Sequence, residues 1–190
     1  MADIIEPVTA RLKLRQWQAQ DKNAFADLNA DTEVMKYFPQ RLSTEQSHAL
    51  ADKLQRLIEQ QGWGIWAVEE TELQQFIGFV GLHKPDKNIP CAPCVEIGWR
   101  LAKAFWHKGY ATEAAMASLE VAFDQLHFKE IVSFTAITNQ PSQALMQRLG
   151  MVNTEQNFKH PDVPEGHPLS EHVLYRITHE PHEQWRQCVI

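Results

Sequence analysis

The stretch VEIGWRLAKAFWHKGYATEAAMASLEVAFDQL, Val95 to Leu126, decides the fold. Its opening alternates: Val95, Ile97, Trp99 and Leu101 share one face, while Glu96, Gly98 and Arg100 share the other. That period belongs to a half-buried strand. Its later part repeats at helical spacing, with Ala111, Ala114, Ala115, Leu119, Ala122, Phe123 and Leu126 on one stripe. Trp106-His107-Lys108-Gly109-Tyr110-Ala111 lies between, so the unit reads strand, tight loop, helix. Such a joint suits an anion. The first N–H groups of a helix have no partner within it and carry partial positive charge, and a preceding glycine lets the chain bend close to a phosphate. Lys108 adds a formal charge. Taken alone, the stretch reads first as a plain helix start, because many strand-to-helix turns hold a glycine and bind nothing.

Working outward toward the N-terminus, Pro85 to Pro93 is a loop rich in turn formers. Before it, Trp63 to Glu69 and Gln75 to Lys84 read as two strands of a hairpin, with Gly78 and Gly81 marking a bulge or a close backbone approach. Ser43-Thr44-Glu45-Gln46 predicts a capping box for a helix striped by Leu50, Leu54, Leu57 and Ile58, which Gly62 ends. Arg11 to Arg15 alternates as an opening strand, Asp21 is expected to cap a short helix, and Asp31 to Phe38 predicts a brief helical turn stopped by Pro39. Toward the C-terminus, Glu130 to Thr138 alternates as a buried strand, and Asn139 with Pro141 starts a helix that Gly150 ends. Met151 to Asp162 and Leu169 to Thr178 read as two antiparallel strands, and the last dozen residues read as a loose tail. Strands at both ends with helices interleaved give α/β or α+β with a mixed, largely antiparallel sheet.

The chain has 190 residues, 44% of them apolar and 22% charged, which is most economically one globular domain spanning 1–190. No run has the length of a membrane span and the first residues lack a signal-peptide plan, so no membrane partner and a cytoplasmic location are expected. A net charge of −6 argues against nucleic acid as a partner. Cys91 and Cys94 have metal or redox spacing, but Cys188 is the only other cysteine and no second pair exists. The better reading is two surface-loop thiols and no metal.

Spelled out, the central stretch resembles motif A of the GNAT acetyltransferase superfamily, where Q/R-x-x-G-x-G/A cradles the pyrophosphate of acetyl-CoA. Gly109 and Ala111 match the two small positions, Trp106 stands where Gln or Arg is usual, and His107 replaces a common glycine. GWRL…FWHKGYATEA is similar to the branch that includes the ribosomal-protein N-terminal acetyltransferases. Asn139 to Met151, NQPSQALMQRLGM, resembles motif B of the same superfamily, and with the opening TARLKLRQW the likeness covers nearly the whole chain. It implies a sheet whose fourth and fifth strands, Val95–Leu101 and Glu130–Thr138, splay apart to admit the pantetheine arm of acetyl-CoA.

The resemblance also implies roles. Backbone groups of Trp99 and Leu101 would pair with the cofactor arm, and Trp106, His107, Lys108, Gly109, Tyr110, Ala111 and Thr112 would surround the pyrophosphate. Asn139, Ser142 and Met146 match motif B positions near that arm. The partner is an amine-bearing acceptor, a protein N-terminus or a small molecule, and the chain would act as a monomer or homodimer. Met35, Tyr37 and Phe38 could line the acceptor site, with Met35 better read as core.

An amine with its usual pKa of ~10.4 must lose a proton before it attacks at neutral pH. Glu96 is the candidate base, against the alternative of a solvated or ion-paired strand glutamate; His83 is the second choice. The motif B helix carries no tyrosine, leaving Ser142, water or an unassisted thiolate, with Tyr110 and Tyr175 as remote alternatives. His160, His167 and His172 could shape the acceptor pocket or simply dot the surface. A non-catalytic acyl-CoA-binding module is the competing function, and an RNA-associated protein is disfavoured by the acidity.

Overall fold

The structure, a computed structural model, describes residues 2–85 and 89–179. The expected C-terminal tail and Cys188 therefore lie outside the described residues, apart from His179.

Strand β1 (Leu12–Arg15) opens the sheet with Leu12 and Leu14 fully buried. Helix α1 (Asp21–Ala30) follows, and here the expected cap is corrected: Asp21 is the first helical residue and Gln20 precedes it without a side-chain cap. The Asp21 carboxylate instead accepts from the Gln18 amide at 2.8 Å and from Arg15 at 2.7 and 2.9 Å, because a buried guanidinium outcompetes a helix end for a carboxylate. Residues 31–38 form turns: Met35 N–H donates to the Asp31 carbonyl at 3.0 Å, one helical turn that goes no further, and Asp31 Oδ1 accepts from the amides of Glu33 and Val34 as an N-cap side chain does. Met35 is buried, as its core reading expects, and Phe38 stays exposed.

Helix α2 (Thr44–Gln61) carries the expected capping box between Ser43 and Gln46, and Gly62 ends it at φ 82°, a left-handed turn glycine makes without strain. Strands β2 (Ile65–Glu70) and β3 (Gln75–His83) pair as a hairpin, with a bulge where Val68 faces Gly78 and Glu69 faces Phe76. Gly78 sits at φ 144°, and a Cβ there would stand 2.2 Å from the Arg100 carbonyl oxygen; the two glycines of this strand mark both a bulge and close approaches.

Strand β4 (Glu96–Leu101) leads through a short 3₁₀ turn at Lys103–Phe105 into helix α3 (Tyr110–Glu120), which winds on as a π-turn over Val121–Gln125. Strand β5 (Glu130–Ala136) and helix α4 (Gln140–Arg148) come next. The strand expected over Met151 to Asp162 is broken into β6 (Val152–Asn153) and β7 (Phe158–Lys159), interrupted where Glu155 takes φ 59°. Both fragments pair with β8 (Glu171–Thr178).

The sheet order is β1-β2-β3-β4-β5-β8-β6, with β7 also on β8. Every pair is antiparallel except β4–β5. Arg100 reaches Asn29 in α1 and Trp99 reaches Ser142 in α4, so α1 covers one face of β4 and α4 meets the other. No helix among the described residues is long and apolar enough to cross a membrane.

Candidate active site

The parallel strands β4 and β5 share a single register position, Glu96 opposite Val132. Val132 N–H donates to the Val95 carbonyl at 2.9 Å, and Ser133 Oγ donates to the Ile97 carbonyl at 2.9 Å. Beyond Ile97 the strands part. Their carboxyl ends run into the starts of α3 and α4, so the gap opens toward two helix N-termini. Ligands of parallel strands collect at that end, where loops and helix amides converge.

The loop entering α3 is shaped for an anion. Gly109 sits at φ 82° as its N-cap, and His107, where glycine is usual, adopts φ 60°. Histidine is among the few residue types enriched in this left-handed region, so the loop keeps its path without the glycine. The first rung of the helix runs from the Glu113 amide to the Gly109 carbonyl at 3.0 Å, leaving the amides of Tyr110, Ala111 and Thr112 ahead of the ladder. Cations surround it. Arg11 donates from Nη1 to the Lys108 carbonyl at 3.0 Å, lies 4.5 Å from the Tyr110 ring centre and pairs with Glu113 at 2.6 Å. Arg148 reaches Thr112 Oγ1 from α4 at 3.4 Å. A groove of about 1130 Å³ borders this corner, lined by Val8, Arg11, Gly109, Thr112 and Arg148 among others.

On the α4 side, three side chains meet. Ser142 Oγ accepts from Trp99 Nε1 at 3.3 Å and from Asn139 Nδ2 at 3.1 Å, while Asn139 Oδ1 caps the helix through the Ser142 amide at 3.3 Å. Asn139 Nδ2 also donates to Thr135 Oγ1 at 2.8 Å. Trp99 thus bridges from β4 to the start of α4 across the widening gap.

Glu96 stands where the two strands are still joined. It is 8% exposed, so the solvated reading does not hold, and Oε2 is 3.3 Å from His83 Nε2. Burial raises its carboxyl well above the usual range. Cys91 and Cys94 lie close by as free thiols with their sulfurs 3.1 Å apart. Burial first, then the Cys91 contact and the nearby acids, push the Cys94 thiol up to about 12. No group of three or more His, Cys, Asp or Glu side chains fit to hold a metal occurs among the described residues.

Several expectations need correction. Met146 is 1% exposed and belongs to the core, because the apolar stripe of α4 faces inward with Leu145 and Leu149. Leu101 offers its carbonyl to Trp106 Nε1 at 2.8 Å, so the indole fastens the loop to the strand end. His167 accepts the Leu169 amide within its own turn, whereas His160 and His172 stack 4.8 Å apart beside Phe134 and Phe158. Neither Arg11 nor Arg148, which stand beside the loop, is singled out by the sequence. Arg148 sits in the motif B ending and was open to discovery; Arg11 lies nearly a hundred residues from the loop it touches, and no local signal connects them.

The model of the acetyltransferase (GNAT) domain family matches residues 11–152. The chain belongs to the GNAT acetyltransferase family. Over 172 residues, 90% of this chain and 96% of the relative, it is 28% identical to YnaD of Bacillus subtilis (strain 168), described as an uncharacterized N-acetyltransferase. Among solved structures it is similar to a GNAT-family acetyltransferase from Bacillus anthracis, with TM-score 0.75 and 26% identity, covering 92% of this chain and 98% of that one. The fold is shared with a ribosomal-protein-S5-alanine acetyltransferase from Vibrio fischeri at TM-score 0.72 and 17% identity, covering 93% and 98% of the two chains. GNAT enzymes use acetyl-CoA as cosubstrate, and the residues here fit it. The amides ahead of α3, with Lys108, Arg11 and Arg148 near them, suit a diphosphate, and the parted strands leave backbone groups of β4 for an amide-bearing arm.

Proposed function

We propose that this GNAT chain transfers the acetyl group of acetyl-CoA to a primary amine by direct attack in a ternary complex. The observation that carries the reading is the β4–β5 pair, joined at one register position and open beside the bare amides of α3. Acetyl-CoA supplies the activated acyl carbon and a thiolate leaving group. The chain supplies the rest.

The amides from His107 to Thr112 hold the diphosphate, with Lys108 and the neighbouring arginines screening its charge. Glu96 binds the incoming ammonium and takes its proton on a carboxylate oxygen, directly or through water. A carboxyl raised by burial above the usual carboxylate range is a stronger base than an ordinary one, because its conjugate acid lies closer to the amine in strength. His83, 3.3 Å away, can pass that proton outward. Ser142 Oγ has both lone pairs engaged by Trp99 and Asn139, so its one remaining role is to donate its hydroxyl hydrogen. A developing thiolate at the mouth of the gap would receive that bond.

Incubation with acetyl-CoA and a panel of amines (peptide N-termini, polyamines, aminoglycosides and amino acids) is expected to release free thiol in step with acetylated product. Glu96→Gln should lose turnover by about a hundredfold at neutral pH, a typical general-base contribution, with acetyl-CoA affinity retained. An undiminished rate in that variant removes Glu96 from the mechanism, and silence across the panel removes the activity.

A further inference from the structure

Two guanidinium groups are treated in opposite ways, Arg15 fully buried and Arg100 half-buried. Arg15 is 2% exposed, and Asp21 and Glu69 both bond it, at 2.7 Å from each carboxylate. Burial by itself would lower its pKa, yet the hydrogen bonds and charges of those two acids raise it. Arg100, on β4, has no carboxylate partner among the described residues. Its Nη1 donates to Asn29 Oδ1 in a short bond, and its Nε is enclosed with no acceptor. Phe38 lies 4.1 Å from the guanidinium carbon and Phe79 lies 5.2 Å from it. Asn29 is itself fixed, since its Nδ2 donates to Ser47 Oγ at 3.2 Å, which turns the amide oxygen toward Arg100. Desolvation without a counter-charge lowers the Arg100 pKa to about 10. A half-buried cation with its Nε enclosed and one neutral acceptor is an unfavourable arrangement for stability alone.

Its position suggests why it persists. By strand alternation Glu96, Gly98 and Arg100 share a face of β4, the face that α1 covers. A Cβ on Gly98 would meet nothing within 4 Å, so space lies open between the two charged residues. Phe38, whose ring lies against the Arg100 guanidinium, is 39% exposed, so that end of the face is open to solvent. Glu96 and Arg100 are about 13 Å apart along the strand, four steps of ~3.3 Å. The face therefore offers a carboxyl at one end, room in the middle and an uncompensated guanidinium at the other.

We propose that Arg100 is the specificity residue of the acceptor site and that the amine acetylated here also carries a carboxylate, which lies over Gly98 against the guanidinium. This rests on the acetyl-transfer reading above, and the amine end of the same molecule is the group that faces Glu96. Planar guanidinium and carboxylate match in geometry, and a charge-assisted bond at a partly desolvated site is strong enough to sort acceptors.

The test uses the full chain and matched acceptors that differ only in the carboxylate: amino acids whose amine and carboxylate stand at opposite ends of an extended chain, with their carboxamides and their decarboxylated amines. Free-thiol release gives kcat and KM, and calorimetry with the N-acetylated amino acid reads binding without turnover. The acid is expected to have a KM about tenfold or more below its amide, the range for one hydrogen bond to a charged group. Arg100→Met should raise the KM of the acid to that of the amide, with the loss falling on KM and not on kcat, and Arg100→Lys should recover part of the difference. Equal KM values for acid and amide in the unaltered chain, or an equal loss on both in Arg100→Met, overturn the proposal. Binding of the N-acetylated amino acid that disappears in Arg100→Met, with no turnover of any amine, supports the anion site while removing the transferase reading. Neither binding nor turnover removes both.

Discussion

Glu96 shows what burial does to one residue. Its folded pKa lies well above the ordinary carboxylate value, so the proton it holds in the folded chain is lost only at higher pH than in the unfolded chain. The stabilising contribution of protonated Glu96 is thus fully present below the unfolded value and disappears as pH rises through the folded one. Melting temperatures from pH 5 to pH 8 are expected to show the unaltered chain falling behind Glu96→Gln as pH climbs; parallel curves would show that the acid is not held neutral. The same shift moves the acid limb of kcat/KM above the usual carboxylate range, and Glu96→Gln should erase that limb. Alternation in the sequence put Glu96 on the face opposite Ile97. His83 was legible only as a separate candidate and not as the partner of Glu96, because the imidazole reaches it across a strand pair whose register only the fold sets.

At the scale of elements, two features carry distinct expectations. Gly78 lets β3 pass against β4 with no side chain in the way. Gly78→Ala should destabilise the chain by roughly 2 kcal/mol or more, since backbone atoms on both strands must move to admit a methyl group. Because the clash is with the carbonyl of Arg100, the variant should also disturb acceptor KM before acetyl-CoA KM. On β8, burial lowers the His172 pKa to about 4, aided by the neighbouring His160, while the Ser170 carbonyl works against it. A depressed histidine contributes stability above its unfolded value of ~6.5 and loses it as pH falls toward the folded one. His172→Phe, among Phe134 and Phe158, is expected to flatten the loss of stability between pH 6.5 and pH 4, which denaturant titration at each pH will read. The elements that sequence predicted correctly are those set by local rules. Ser43 with Gln46 needs only four adjacent residues, and Asn139 with Ser142 needs the same. Asp21 misled because its partner, Arg15, sits in the preceding strand.

For the whole molecule, the mixed sheet and all but one of its strands could be read from alternation and turn residues, the break between β6 and β7 excepted, but the parting of β4 from β5 could not. A strand that alternates apolar and polar residues looks the same whether its edge is paired or open, and only the likeness to a known family pointed to the gap. The arginines around α3 escaped for a related reason: Arg11 and Arg148 come from separate elements that the fold brings to the corner beside Lys108.

That single shared register position, Glu96 opposite Val132, makes the sheet two leaves held by one stitch. The leaf from β1 to β4 and the leaf from β5 to β8 each have a continuous ladder of their own, so breathing of the protein should concentrate at the spine between them. A thioester-bearing arm lying in that spine would act as a bookbinder's thread. Hydrogen–deuterium exchange on adding acetyl-CoA should slow the amides of Gly98 to Leu101 and of Tyr110 to Thr112 while leaving the β2–β3 hairpin unchanged; uniform slowing, or none, would mean that the leaves are already bound together without it.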